Sequence, residues 1–259
     1  MKSKKLKSIV AMLLSVAMLI SFASCGGNES NENENNDSAG TSSNNDSDMN
    51  NDKISTLGKN SKVGDYVAFG SYEQDGDTSN GKETIEWLVL DVQDGKALII
   101  SKYALDCKPY NEAGADVTWE TCTLRTWLNN DFYETAFSDS EKNEISTTNV
   151  ASENNPNYDT EAGNSTQDKV FLLSIGEAEK YFSSGNERMC KPTQYAVTQG
   201  IWQCDEPGKS YDDNCYWWIR TPGYLQYMTS YVDYFEGGFS DDSASISIYG
   251  VRPALWVNI

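Results

Sequence analysis

Two apolar stretches near the C-terminal end constrain the fold of this chain more than any other feature. Cys215, Tyr216, Trp217, Trp218, Ile219 and Arg220 run into Thr221, Pro222 and Gly223, and the chain closes on Gly250, Val251, Arg252, Pro253, Ala254, Leu255, Trp256, Val257, Asn258 and Ile259. The first stretch fits a β-strand stopped by a Pro-Gly turn, and the second is too apolar to lie in water. The end of the chain is therefore expected to be a strand inside the domain, which closes the domain on itself. Between the two, residues 232–239 and 243–248 supply weaker strand material around a turn at Gly237, Gly238, Asp241 and Asp242.

The other end of the chain is a separate object. Lys2, Lys4, Lys5 and Lys7 precede an apolar run over residues 9–22 that is short for a spanning helix, the pattern of an export signal. Ala23 and Ser24 stand before Cys25, which is similar to the bacterial lipobox, with Phe22 where Leu is commoner. Cys25 is thus expected to carry a lipid, because a thiol between an apolar peptide and a polar tether has no core to join; an ordinary secretory signal is the alternative. Residues 25–60 are almost entirely Asn, Ser, Glu, Asp and Gly. Such a segment has too little apolar surface to offset its ordering entropy and is expected to be a disordered, acidic linker with a reach of about 30 Å. The expected organisation is a signal peptide over 1–24, an anchored linker over 25–60 and one domain over 61–259, on the outward face of a bacterial cell membrane.

The formal charge of −19 argues against a nucleic-acid partner and against flat docking on anionic lipid, so contact with the membrane is expected only through the anchor. The chain has no His, which removes the Ser-His-Asp arrangement and the commonest zinc ligand.

Within the domain, residues 63–69 read as a first strand. Residues 83–91 and 96–102 read as a hairpin around Asp94 and Gly95, with Ile85, Trp87, Val89 and Asp91 on one face. Ala97, Leu98, Ile99 and Ile100 are apolar on both faces and should lie centrally. Thr121 or Thr123 is expected to cap a helix carrying Leu124, Trp127, Leu128 and Phe132, with Arg125 off that stripe. Ser138 with Glu141 and Ser174 with Glu177 are capping-box patterns. Residues 170–173 read as a short strand, and 147–168 as an unusually long loop.

Several segments together carry a resemblance. They are Trp87 to Asp91, Ala97 to Ser101, Thr118 with Trp119, Leu124 to Asn129, Asp168 to Ser174, Thr193 with Tyr195 and Ala196, Trp217 to Gly223, and Gly250 to Ala254. This succession resembles a bacterial domain family of unknown function, related in architecture to C-type-lectin-like and sulfatase-modifying (formylglycine-generating) domains. The resemblance covers nearly all of residues 61–259. It implies an α+β, C-type-lectin-like fold with twisted antiparallel sheets, two or three flanking helices and long loops on one side where ligands bind. The loops read from sequence are 72–82, 147–168, 202–214 and 223–242.

The sulfatase-modifying enzymes oxidise a substrate cysteine with a close cysteine pair and copper. Five domain cysteines follow Cys25, an odd number, and none of their spacings reproduces that pair. The disulfide expected is Cys107 with Cys122, with one more pair among Cys190, Cys204 and Cys215. Calcium-dependent lectins use a Glu-Pro-Asn or Gln-Pro-Asp triplet, whereas Glu206 and Pro207 are followed here by Gly208. No cofactor is expected. Calcium is the one ion the acidic loops admit, at Asp205, Glu206, Asp212 and Asp213, while Asp75, Asp77 and Ser79 lack the offsets of a helix-loop-helix site.

The functional expectation is a non-catalytic, monomeric binding domain for a glycan or a surface protein. Trp202, Tyr211, Tyr224, Tyr227, Tyr231 and Tyr234 are the candidate contact residues, because tyrosines in loops offer large contact area at small entropic cost. Of Trp217 and Trp218, one is expected in the core and the other partly exposed. Arg220, Arg252, Trp87, Trp127, Trp218 and Trp256 are assigned to structure, with Asp91 or Glu86 as acid partners for the arginines. An envelope-associated enzyme, such as a glycoside hydrolase using two carboxylates, and a purely structural envelope protein are the alternatives.

Overall fold

The computed structural model describes residues 54–259; the expected signal segment 1–24, Cys25 and most of the expected linker lie outside the described residues. Strand pairing already starts within the stretch expected to be linker. β1 (Ser55–Thr56) runs parallel to β2 (Tyr66–Tyr72), Ser55 opposite Val67. β2 pairs with β3 (Glu83–Gln93), which turns through Asp94 and Gly95 into β4 (Lys96–Ser101). Asp94 and Gly95 take φ of 52° and 72°, the two positive angles that a tight hairpin turn of matching twist requires. A register shift between Val89 and Asp91 breaks the expected alternation of β3. Ile85, Trp87 and Val89 stay buried, Leu90 is buried with them, and Asp91 sits half-buried beside Lys180 instead.

β5 (Asp106–Cys107) leads to the helices. The apolar stripe Leu124, Leu128 and Phe132 is buried as its spacing demands, but neither threonine caps α1 (Thr123–Trp127): its cap is Cys122, whose sulfur accepts the Arg125 N–H at 3.3 Å. The chain widens into a π-helical turn (Leu128–Phe132) before α2 (Tyr133–Ala136), and α3 (Asp139–Glu144) begins at the Ser138–Glu141 capping box. The stretch read as one long loop is bounded by a ribbon of β6 (Thr148–Val150) and β7 (Thr166–Asp168). Arg125 reaches back to it, its Nε 2.7 Å from Asp168 Oδ1. Residues 170–173 form no strand; Phe171 makes a single bridge to Ala254.

α4 (Ile175–Tyr181) opens with the Ser174–Glu177 capping box, and α5 (Gly185–Arg188) and α6 (Gln194–Thr198) follow. These short helices outnumber the two or three expected. The last five strands are β8 (Trp217–Pro222), β9 (Met228–Val232), β10 (Phe239–Ser243), β11 (Gly250–Val251) and β12 (Ala254–Asn258). One sheet has the order β1-β2-β3-β4-β12 and the other β10-β9-β8-β11-β5, antiparallel except where β1 meets β2 and β11 meets β8. The domain is a mixed α+β fold of twisted sheets flanked by short helices. The C-terminal strand lies inside it, Ala254 to Asn258 pairing with β4 from Ile100 to Lys96.

Both core arginines are buried, but neither uses the expected acids. Glu86 pairs with Lys102 and Asp91 with Lys180. Arg220 is held by both carboxylate oxygens of Glu177 and by the Leu172 carbonyl at 2.8 Å, so the acid that caps α4 also neutralises the cation in β8. Arg252 takes no carboxylate among the described ion pairs. Its Nε donates to Ser101 O at 2.8 Å, Nη1 donates to Arg188 O at 3.2 Å, and its guanidinium lies over Trp217 at 5.0 Å and Phe182 at 5.4 Å. Trp87 is fully buried, its indole N–H donating to Phe69 O, while Trp127 and Trp256 are half-buried against the core.

Glu141 gives the fold a measurable pH dependence. Burial acts to raise its carboxyl, but the Ser138 hydroxyl and the N–H groups of Ser138 and Gly70 outweigh it and hold the group below the usual carboxylate range. A depressed folded value means the stabilisation is complete above about pH 4.5 and fades as pH falls through the folded value. Glu141→Gln is expected to cost about 1 kcal/mol at neutral pH and to flatten the acid limb of the stability curve, measured by urea unfolding between pH 3 and 7.

Candidate functional site

The second sheet carries a continuous cluster of aromatic rings. Tyr216, just before β8, and Trp218 within it are two residues apart and share one face, and Tyr231 of β9 stands directly opposite Trp218. The parallel pairing of Gly250 with Trp217 brings Tyr249 onto the same face. The ring of Tyr249 lies 4.5 Å from Trp218, 4.8 Å from Tyr231 and 5.0 Å from Tyr216. Trp218 is the floor of this cluster and is fully buried, as is Trp217 on the opposite face; the expectation that one of them reaches solvent is corrected, because sheet, helices and rings cover β8 on both sides.

From that floor the rings step outward. Trp202 packs on Tyr216 at 4.9 Å and on Tyr234 at 4.7 Å; Tyr234 meets Tyr211 at 5.8 Å and Phe235 at 5.3 Å. Trp202, Tyr211 and Tyr234 are half-buried and Phe235 is 43 % exposed, so the outer rings present faces and edges to solvent while neighbouring rings fix their positions. Tyr231 is half-buried and packs against the core.

The loop bearing Tyr234 and Phe235 is locked by one carboxylate. Asp233 Oδ1 accepts the N–H groups of Phe235, Glu236 and Gly237 at 2.8–3.0 Å, and Oδ2 accepts that of Gly238. Gly237 has φ of 63° and lies so close to Gly185 that a β-carbon at either position would collide with backbone. Arg188 Nε donates to Gly237 O at 2.7 Å and Asn214 Nδ2 to Tyr234 O at 3.1 Å.

Carboxylates surround the outer rings. Tyr211 OH donates to Glu206 Oε2 at 3.3 Å, and desolvation together with that carboxylate pushes the phenol up, which keeps its proton in place at neutral pH. Asp212 Oδ1 accepts the N–H groups of Glu206 and Asp213, and Asp213 Oδ2 lies 3.3 Å from Lys191 Nζ. Of the four acids expected to form an ion site, Glu206, Asp212 and Asp213 thus engage separate partners, and none of the four, Asp205 included, belongs to a converging group among the described residues. Among the described residues the acids that do converge are Glu73, Asp75 and Glu83, in the surface loop after β2 and at the start of β3, with ligand oxygens within 4.8 Å of one another. These three have the oxygen chemistry to hold a divalent cation such as calcium. The proximity of Asp75 and Glu83 depends on how the loop folds back, with Glu83 Oε2 accepting the Gln74 N–H at 2.7 Å, and no local spacing announces it.

The chain belongs to the family described as Domain of unknown function (DUF6273), whose model matches residues 94–259. The matched segment contains every ring of the cluster and all five domain cysteines. No curated protein and no solved structure matches the chain.

Tyr224 and Tyr227, the other two candidate contact residues, stand apart from the cluster at the β8–β9 turn. They are 62 % and 40 % exposed, beside the exposed Leu225. Tyr158 meets Tyr224 edge-on at 5.2 Å, because Asn155 and Thr160 tie the loop between β6 and β7 to Pro222 O and Gly223 O. Sequence reasoning did not single out Tyr158, Tyr249, Tyr216 or Phe235 as contact residues. Tyr216 and Phe235 lie within the tyrosine-rich segment and were findable by composition, whereas Tyr249 and Tyr158 arrive through long-range pairing.

The expected Cys107–Cys122 disulfide is not formed. All five domain cysteines, Cys107, Cys122, Cys190, Cys204 and Cys215, are free thiols here, and Cys107 and Cys122 lie on different elements. Cys122 caps α1, and Cys107 donates to Ser247 O at 3.0 Å, which commits the two to different elements. Desolvation pushes both up to about 12.

Gly237→Ala tests the locked loop. It is expected to lower stability by about 2 kcal/mol or more, through its positive φ and the clash with Gly185, and to weaken the near-ultraviolet circular dichroism of the ring cluster.

Proposed function

We propose that the protein is a cell-surface lipoprotein whose domain binds glycans without catalysis, through the platform formed by Trp202, Tyr211, Tyr234 and Phe235. The observation that carries this reading is the coupling of partly exposed rings, held in tilted and edge-to-face contacts by their neighbours, to flanking carboxylates. Ring faces take the apolar faces of sugar rings, and carboxylates accept their hydroxyl protons. A platform held by packing loses little entropy when a ligand arrives.

The lectin-like architecture remains part of this reading. Its support is the resemblance of the C-terminal motifs and the presence of the first and last strands in one sheet, at its opposite edges. The anchoring reading is supported by the basic residues, apolar run and Cys25 of the first segment, a pattern that fits export and lipidation ahead of an acidic linker. Among the described residues no helix is long and apolar enough to cross a membrane. A monomer on a tether needs no second copy to complete the platform. The platform is read as working without calcium, because the acids that converge among the described residues, Glu73, Asp75 and Glu83, lie after β2 and at the start of β3.

The exposed patch of Tyr158, Tyr224, Leu225 and Tyr227 favours a second reading, in which a surface protein docks at the β8–β9 turn. A screen of the full-length protein against glycans and envelope proteins, with calcium and with chelator, separates the two. Trp202→Ala and Tyr234→Ala are each expected to weaken glycan binding about tenfold or more, with Tyr224→Ala within about twofold of wild type and chelator without effect. Glycan binding unchanged by Trp202→Ala would refute the platform, and protein binding lost on Tyr224→Ala would favour the second reading.

A further inference from the structure

Two buried cysteines lie opposite each other across an antiparallel bridge. Cys190 and Cys215 are bridge partners, and the Cys215 N–H donates to Cys190 O at 2.8 Å. Directly opposed residues of an antiparallel pair stand about 4.5–5.5 Å apart at Cα with side chains on one face, inside the roughly 4.4–6.8 Å that a disulfide spans. The other three domain cysteines have no such partner: Cys107 stands opposite Gly250, Cys122 caps α1, and Cys204 lies under the acidic loop.

The surroundings make the two sulfurs unequal. Arg252 is 3 % exposed, takes no carboxylate among the described ion pairs, and its charge acts on both thiols. Burial opposes ionisation of Cys190, but the Cys215 thiol and the Arg252 cation outweigh it and bring Cys190 down to about 7, whereas burial and Cys190 push Cys215 up. In the closed fold the two thiols therefore differ in acidity.

We propose that Cys190 and Cys215 are joined by a disulfide in the mature protein, formed by exchange with a small-molecule or protein disulfide of an oxidising compartment. The Cys190 thiolate attacks one sulfur of the incoming disulfide, forming a mixed disulfide and releasing one thiolate. Cys215 then gives up its proton and attacks the Cys190 sulfur, forming the Cys190–Cys215 bond and releasing the second thiolate. The two cysteines lose two electrons and two protons in all, and the incoming disulfide is reduced to two thiols. Both sulfurs are covered in the finished fold, so the exchange runs while the chain is closing.

The bond fastens both ends of the segment 191–214, which carries Trp202 and Tyr211. It therefore holds one side of the ring platform against β8. The proposal takes its oxidant from the export reading; the test supplies the oxidant, so the two can fail separately.

The full-length chain is unfolded in denaturant and refolded with a glutathione redox couple, its free thiols are alkylated after a second unfolding, and the digest is mapped by mass spectrometry. The expected result is one linked pair of peptides joining Cys190 to Cys215, with Cys107, Cys122 and Cys204 alkylated. Cys204→Ser should leave that link in place. The oxidised protein should melt higher than its dithiothreitol-treated form by on the order of 5 °C or more, because the bond closes a loop of roughly 25 residues. Alkylation of all five domain thiols, a link joining any other pair, or loss of the link in Cys204→Ser would overturn the proposal. Without a link to reduce, the two melting temperatures would coincide.

Discussion

The crossing of the chain between the two five-stranded sheets at Arg252 and Pro253 is the constraint from which the remaining architecture follows. Gly250 and Val251 pair in one sheet with β5 and β8, and Ala254 onward pairs in the other with β4. Both ends of this crossing are fixed to the same residue: Ser101 donates its N–H to Pro253 O, and Ser101 O accepts from Arg252 Nε. A buried guanidinium without its hydrogen bonds costs several kcal/mol, so the residues that supply its acceptors, Ser101 and Arg188, are held in turn. Arg188 then reaches the Gly237 carbonyl and steadies the loop that carries Tyr234 and Phe235. A continuous path of polar contacts thus runs from the last strand to the outermost rings.

The ring platform depends on the same crossing in a second way. Tyr249 enters the cluster because β11 lies parallel to β8, and the chain must leave β11 toward the other sheet within two residues. Packing of eight rings against one another gives each a defined orientation at little cost in entropy, since aromatic side chains have few torsions to fix. The acids around them are engaged with backbone N–H groups, the Tyr211 hydroxyl or Lys191, which keeps the rim negative without letting it collapse onto a single cation. This combination is what the proposed binding of a neutral, hydroxylated ligand rests on.

Much of the fold was legible where local chemistry is decisive. The Asp94–Gly95 turn, the doubly apolar β4, both capping boxes and the buried final strand each follow from a few neighbouring residues. Departures occur where tertiary contacts intervene. The bulge at Leu90 changes which side chains of β3 face inward, and Cys122 displaces two threonines as a helix cap because its thiol is already buried beside Trp119. Glu177 takes Arg220 because capping α4 has placed its carboxylate there. Of the candidate site, Trp202, Tyr211, Tyr231 and Tyr234 come together, whereas Tyr224 and Tyr227 belong to a separate patch. Density of tyrosine in a segment reveals that rings will gather, but strand register decides which of them share a face.

The most direct measurement is a heteronuclear NMR titration of the domain's tryptophan indole and tyrosine ring signals with an oligosaccharide that the protein retains. The account predicts saturable shifts at Trp202 Nε1–H and at the rings of Tyr211, Tyr234 and Phe235, with the buried indoles of Trp87 and Trp217 unmoved. Shifts centred on Tyr224 and Tyr158, with Trp202 silent, would contradict it.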